Sequence, residues 1–151
     1  MSVPKTKHFL VVDDDTDDTF LFKEVLSEVD ASIQLQIANN GEEALSKLRT
    51  AGAPLPNLIF LDLNMPRMNG MQCLYEIKQD EALRHIPVLI YTTSSHSKDI
   101  EQTMLLGAAC FITKQADFYS FKNLLTVIAN NTDNLPRAFQ ILSKESDWIL
   151  Y

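Results

Sequence analysis

Leu58-Ile59-Phe60-Leu61, four apolar residues in a row, end on the carboxylate of Asp62 and run at once into Asn64-Met65-Pro66 and then Asn69-Gly70. A short unbroken apolar run wants apolar layers on both faces, the situation of a central strand in a helix-covered parallel sheet. Proline disfavours a helix before it and Asn-Gly favours a turn, so the segment after Asp62 is a loop. Asp62 therefore stands where a buried strand reaches the rim of its sheet. Aspartate ends many strands merely because it suits turns, so its function has to be judged from what else reaches that rim.

The pattern recurs along the chain. Phe9-Leu10-Val11-Val12 is a second apolar run, and it stops on Asp13-Asp14-Asp15. Asp15, Thr16 and Asp17 supply helix-start chemistry, and Leu21, Val25 and Val29 recur at four-residue spacing in the helix predicted over 17–30. Residues 33–37 alternate apolar and polar, the mark of a strand with one covered face, which places it at an edge. Asn39-Asn40-Gly41 turns the chain into a short helix over 42–49, and a Gly- and Pro-containing loop spans 50–56. A helix over 71–79 buries Leu74 and Ile77, a strand over 88–91 ends at Thr92, and Gly107 stops a helix over 97–106. A strand over 109–113 ends at Lys114, and Asp117 caps a helix carrying Phe121, Leu124, Leu125 and Ile128. Five strands alternating with five helices predict an α/β fold with a parallel sheet covered on both faces.

At 151 residues the chain has the length of one domain, and 46% hydrophobic with 22% charged residues is an ordinary folded composition. A net charge of −7 opposes any sequence-independent grip on nucleic acid, which needs Lys and Arg against phosphates. No run reaches membrane-spanning length and the N-terminus lacks a signal-peptide core. Cys73 and Cys110 stand alone in apolar contexts, as in proteins of a reducing compartment, so the cytoplasm is the expected location.

Ligands of open parallel sheets bind beyond the carboxyl ends of the strands. Those ends present Asp13, Asp14, Asp62, Thr92 and Lys114. Clustered carboxylates repel one another, which a bound cation relieves. Mg2+ suits such a set because it takes one or two carboxylates and keeps positions for water or phosphoryl oxygen. With the charge neutralised and Lys114 opposite, Asp62 can act as a nucleophile toward phosphorus and become an aspartyl phosphate. Rival motifs fail. An EF-hand spacing from Asp13 to Glu24 has Asp18 where the sharp-turn glycine belongs. The four glycines form neither a dinucleotide fingerprint nor a Walker loop. A haloacid dehalogenase-type phosphatase needs a second Asp where this chain has Asn64. Singly, Lys114 reads as a surface lysine, and Phe111 and Tyr91 as structural aromatics.

FLVVDD (9–14), LDLNMPRMNG (61–70), PVLIYT (87–92) and GAACFITK (107–114) together resemble the receiver domain of bacterial two-component response regulators. The match runs from about Lys7 to Asn131 in the family's order and spacing. The resemblance implies a flavodoxin-like (βα)5 fold with strand order 2-1-3-4-5. It implies Asp62 as phosphoacceptor for a sensor histidine kinase, and Mg2+ held by Asp14, Asp62 and the Asn64 carbonyl, with Asp13 reaching the ion through water. Lys114 and Thr92 would contact the phosphoryl oxygens and Phe111 would be the aromatic switch, a two-state element biased by phosphorylation. Such a protein is not an enzyme beyond its own phosphotransfer and dephosphorylation. Two residues depart from the pattern: Gln115 replaces the usual proline after the lysine, and Thr93 stands where small residues are common. A phosphorylation-independent adaptor is the alternative, although such modules usually lack one of these five residues. The division expected is a receiver over 7–131 and an extension over 132–151 without a separate output domain. Output would then be made through contact with a downstream protein or relay partner, on the surfaces of 97–106 and 117–130. Leu135, Phe139, Leu142 and Trp148 make the tail apolar, and the expectation is that it packs on the domain or on a second copy as a homodimer.

Overall fold

In the computed structural model, residues 6–114 and 117–144 are described in full and residues 145, 149 and 150 through their backbone. The elements in chain order are β1 (His8–Val12), α1 (Thr16–Val29), β2 (Gln34–Ala38), α2 (Gly41–Leu48), β3 (Leu58–Leu61) and α3 (Gly70–Gln79). They continue as β4 (Val88–Thr92), α4 (Ser97–Leu105), β5 (Cys110–Thr113), α5 (Phe118–Asn130), α6 (Leu135–Glu145) and β6 (Ile149–Leu150). The sheet order is β2-β1-β3-β4-β5-β6. Its first five strands are parallel, as the alternation predicts, and stand in the order that the resemblance implies. β6 adds a sixth, antiparallel strand beside β5. Two residues are too few for any periodicity to announce, and β6 was not expected.

Strand alternation divides the core. Phe9, Val11, Leu58, Phe60, Leu89, Tyr91 and Ile112 point to the layer built by α1 and α5. Leu10, Val12, Ile59, Leu61, Ile90 and Phe111 point to the layer of α2 and α3. β3 and β4 are buried along their whole length, as central strands must be, whereas β2 alternates exposed and covered residues at the edge. α6 joins the α1/α5 layer through Leu135 and Leu142. The tail thus contributes to the same core. Trp148 and Tyr151 lie outside the described residues, as does Gln115.

Helix starts follow local chemistry. The Asp15 carboxylate accepts from the N–H groups of Asp17 and Asp18 at the start of α1, and Asp117 accepts from Tyr119 N–H at the start of α5. Gly107, at φ 103°, lies just beyond α4 in the left-handed conformation that ends helices.

Candidate functional site

The sheet's own hydrogen bonds hold the rim residues in place. Asp13 N–H donates to the Ala38 carbonyl at 3.0 Å, and Asp62 N–H to that of Val12 at 3.0 Å. Asp13, Asp14 and Asp62 each bring a carboxylate oxygen within 4.8 Å of the others, with Asp13 and Asp62 buried and Asp14 exposed. Lys114 crosses from β5 to join them. Its ammonium lies 2.5 Å from Asp13 Oδ2, 2.8 Å from Asp18 Oδ2 and 3.8 Å from Asp62 Oδ2. It also stands 5.5 Å from the centre of the Tyr91 ring, in reach of a cation–π attraction.

The loop behind Asp62 is shaped to keep that strand end fixed. Asn64 is exposed, and its N–H approaches Asp62 Oδ1 at 3.4 Å. Gly70 N–H donates to the Leu63 carbonyl at 3.1 Å, and Asn69 with Gln72 forms a reciprocal cap on α3. A Cβ on Gly70 would strike the Asp62 carbonyl oxygen and lie 2.7 Å from Leu63 Cα, so glycine is required by close approach. Arg67 has φ 65°, in the left-handed region that β-carbon sterics disfavour.

Burial pushes the Asp13 carboxyl up to about 6, against the opposing pull of its Lys114 hydrogen bond. Burial by itself would lower Lys114, but hydrogen bonds to Asp13 and Asp18 and the charge of Asp62 outweigh it and hold the ammonium above its usual range. Both cysteines are buried with their thiols pushed up by that burial, Cys73 to about 12, so neither is a ready nucleophile.

Thr92 is fully buried, and its hydroxyl is the only buried side-chain polar atom without a partner among the described residues. Such a group costs about 1–3 kcal/mol, and here it sits at the end of the strand next to Asp62's. Phe111 is fully buried in the α2/α3 layer, paired in register with Ile90. Alternation puts Thr92 on the same side of the sheet as Ile90 and Phe111. Thr93 is exposed.

Every rim residue singled out from the sequence thus arrives at one end of the sheet. Two that converge there were not singled out. Asp18 lies in the first turn of α1, and the helix that follows a first strand begins over that same rim, so its position could have marked it. Tyr91 was taken for an ordinary structural aromatic, yet its ring lies against the Lys114 ammonium as well as stacking on Phe121 at 5.7 Å.

The three carboxylates fit a hard divalent cation, since all offer oxygen and two of them, Asp13 and Asp62, are tied by their backbones to the sheet. The family model for the response regulator receiver domain matches residues 9–128. The chain belongs to the response regulator receiver family. This receiver is 38% identical over 112 residues to the response regulator Rcp1 of Synechocystis sp., covering 72% of this chain and 76% of Rcp1. The crystal structure of the Mn(2+)-bound form of Rcp1 resembles it with a TM-score of 0.74 at 34% identity, over 82% of this chain and 92% of that one. The phosphorylated cyanobacterial phytochrome response regulator RcpA resembles it with a TM-score of 0.80 at 32% identity, over 87% of this chain and 96% of that one. Membership places the receiver in two-component signalling. Among its described residues no helix is long and apolar enough to cross a membrane.

Proposed function

We propose that Asp62 accepts a phosphoryl group from the phosphohistidine of a sensor histidine kinase, with Mg2+ held by Asp14, Asp62 and the Asn64 backbone carbonyl and by Asp13 through water. The observation that carries this is the convergence of three carboxylate oxygens within 4.8 Å beside a lysine ammonium 3.8 Å from Asp62. In the transfer a carboxylate oxygen of Asp62 attacks phosphorus and a P–O bond forms. The P–N bond breaks, its electron pair returns to the imidazole ring, and Asp62 is left as an acyl phosphate. Mg2+, when bound, neutralises the carboxylates and draws charge from the phosphoryl oxygens.

The chain's own residues do the rest. Lys114 supplies a cation to the phosphoryl oxygens, and Thr92 donates to one of them, a role supported by its buried hydroxyl having no other partner. Phe111 is already fully buried on the sheet face that Thr92 shares, so a shift of Thr92 acts by changing the packing around that ring. The flanking helices α4 and α5 then present an altered surface to a downstream protein or relay partner. α4 is suited to move, for its only fully covered residue is Thr103 and its N-cap residue makes no side-chain bond.

Asp62 is only 7% exposed, so the donor imidazole must be delivered closely. Exposed Phe20, Leu21, Phe118 and Tyr119 offer an apolar landing surface, and Leu21 and Phe118 line a small cleft with Asp18 and Lys114. Similarity to the phytochrome response regulator RcpA supports a phytochrome-class kinase as donor. The receiver turns over no outside substrate. It works in the cytoplasm, where such kinases present their phosphohistidine, and it pairs with a second copy as a homodimer.

Incubation with a radiolabelled phosphorylated sensor kinase tests the reading. Label should pass to the unsubstituted chain in Mg2+ and should reach neither the Asp62→Asn variant nor chelator-treated protein. Label retained on the kinase in every mixture would refute it.

A further inference from the structure

We propose that Asp18 is a positioning residue for Lys114: a second anionic anchor that competes with a phosphoryl group on Asp62 for the ammonium and so lowers occupancy of the phosphorylated state. The inference rests on Asp62 being the phosphoacceptor.

An ammonium has three N–H donors and no acceptor. Two of those donors serve Asp13 Oδ2 at 2.5 Å and Asp18 Oδ2 at 2.8 Å. Asp62 Oδ2, at 3.8 Å, lies beyond hydrogen-bond reach. The cation is therefore parked between two carboxylates that are not the proposed acceptor. Asp13 sits in the same carboxylate cluster as Asp62, so serving one does not require leaving the other. Asp18 is different, because it reaches Lys114 from α1.

Asp18 is held in place from below. Its N–H donates to the Asp15 carboxylate at 3.1 Å, which makes it part of the α1 cap. Beside the cation stands Tyr91, stacked on Phe121 with planes 14° apart and therefore a fixed wall. The ammonium thus has Asp18 at 2.8 Å and Asp62 at 3.8 Å, with the Tyr91 ring centre at 5.5 Å. A phosphoryl group on Asp62 pulls the cation towards Asp62 and breaks the Asp18 contact.

Asp18 is 41% exposed and regains water when released, so the tie is a weak one. Pairs of this exposure are worth a factor of about two to five in an equilibrium. That factor favours the unphosphorylated receiver. Asp18 would then bias the switch towards its resting state without touching the reacting atoms.

The test uses beryllofluoride, a mimic of the phosphoryl group, in the presence of Mg2+. Equilibrium affinity is measured by 19F NMR for the unsubstituted chain, Asp18→Asn, Lys114→Met and the doubly substituted chain. Asp18→Asn should tighten binding about two- to fivefold when Lys114 is present and leave it unchanged when Lys114 is Met. Equal tightening in both backgrounds would mean simple relief of negative charge and would overturn the proposal, as would no tightening at all. Denaturant unfolding of the metal-free proteins supplies a readout independent of the site's chemistry. Asp18→Asn should lower the midpoint more with Lys114 in place than with Met there, the part common to both being the loss of a carboxylate from the first turn of α1; an equal shift in the two backgrounds overturns the pairing. Failure of the unsubstituted chain to bind beryllofluoride would strike instead at Asp62 as acceptor, and the unfolding comparison would still decide whether Asp18 and Lys114 are coupled.

Discussion

The backbone N–H of Lys114 donates to the Thr92 carbonyl oxygen at 2.6 Å. The proposed phosphoryl-contacting lysine and hydroxyl thus leave neighbouring strands across a shared ladder bond, and neither backbone can shift without the other. Their side chains depart to different places, Lys114 to the carboxylates and Thr92 into a buried position with no partner. In the proposed mechanism a phosphoryl group on Asp62 would give both the same destination and would so couple a local charge to β4 and β5 together.

Gly70 gives the first prediction. Its missing Cβ lets α3 start directly against the strand end that carries Asp62, with Leu63 Cα 2.7 Å from where that atom would be. The neighbours are backbone, so Gly70→Ala has to displace the acceptor loop. The substitution should cost about 2–4 kcal/mol of stability, read as a lowered denaturant midpoint. Gly52→Ala serves as a comparison, since φ 79° strains it but nothing lies within 4 Å of a Cβ there. Its cost should be about 1 kcal/mol.

Asp13 gives the second. Its carboxyl is raised to about 6 by burial, so its proton competes with a cation and its water for the same oxygens. Affinity for Mg2+ or Mn2+ should rise with pH up to about 6 and level off above, as followed by calorimetric titration. The sign for folding is the reverse. A raised folded-state value favours the fold most when the proton is bound, so this contribution is complete below about 3.8 and lost as pH rises through about 6. The stabilisation conferred by a divalent cation should consequently be larger at pH 7 than at pH 5, measured as the shift in Tm. A pH-independent shift would show that Asp13 does not face the ion.

The tail gives the third. Leu142 is buried among the side chains of the α1/α5 layer. Leu142→Ala should cost about 2–4 kcal/mol, with one cooperative unfolding transition by calorimetry. An unaltered transition would mean that α6 rests on the core without contributing to it.

How much of this was legible in the residues depends on what each feature needs. The strands and their parallel arrangement could be anticipated because unbroken apolar runs at 9–12, 58–61 and 88–91 alternate with helices and each ends on a residue with chemistry, whereas their order came only from the resemblance to receivers. Helix boundaries differ from expectation by a residue or so, for instance Thr16–Val29 where 17–30 was predicted, because a cap residue is half in and half out of its helix. Asp18 was missed because its importance comes from Lys114, 96 residues away. Sequence pattern reports neighbours along the chain, and this pair meets only when β5 lies beside the start of α1. Tyr91 escaped for a related reason: its alternation places it in the core, and nothing local says that a cation will come to its face. β6 is short and pairs with a distant edge, so only the assembled sheet shows it.

The most direct measurement is intact mass after incubation with acetyl phosphate, with and without Mg2+, on the unsubstituted chain and on Asp62→Asn. A phosphoryl adduct that requires Mg2+ and vanishes in Asp62→Asn is the predicted result, and it would fix Asp62 as the acceptor among the three converging carboxylates. An unmodified mass under every condition would contradict the phosphoacceptor chemistry and leave a receiver fold that works as an adaptor, through contact alone.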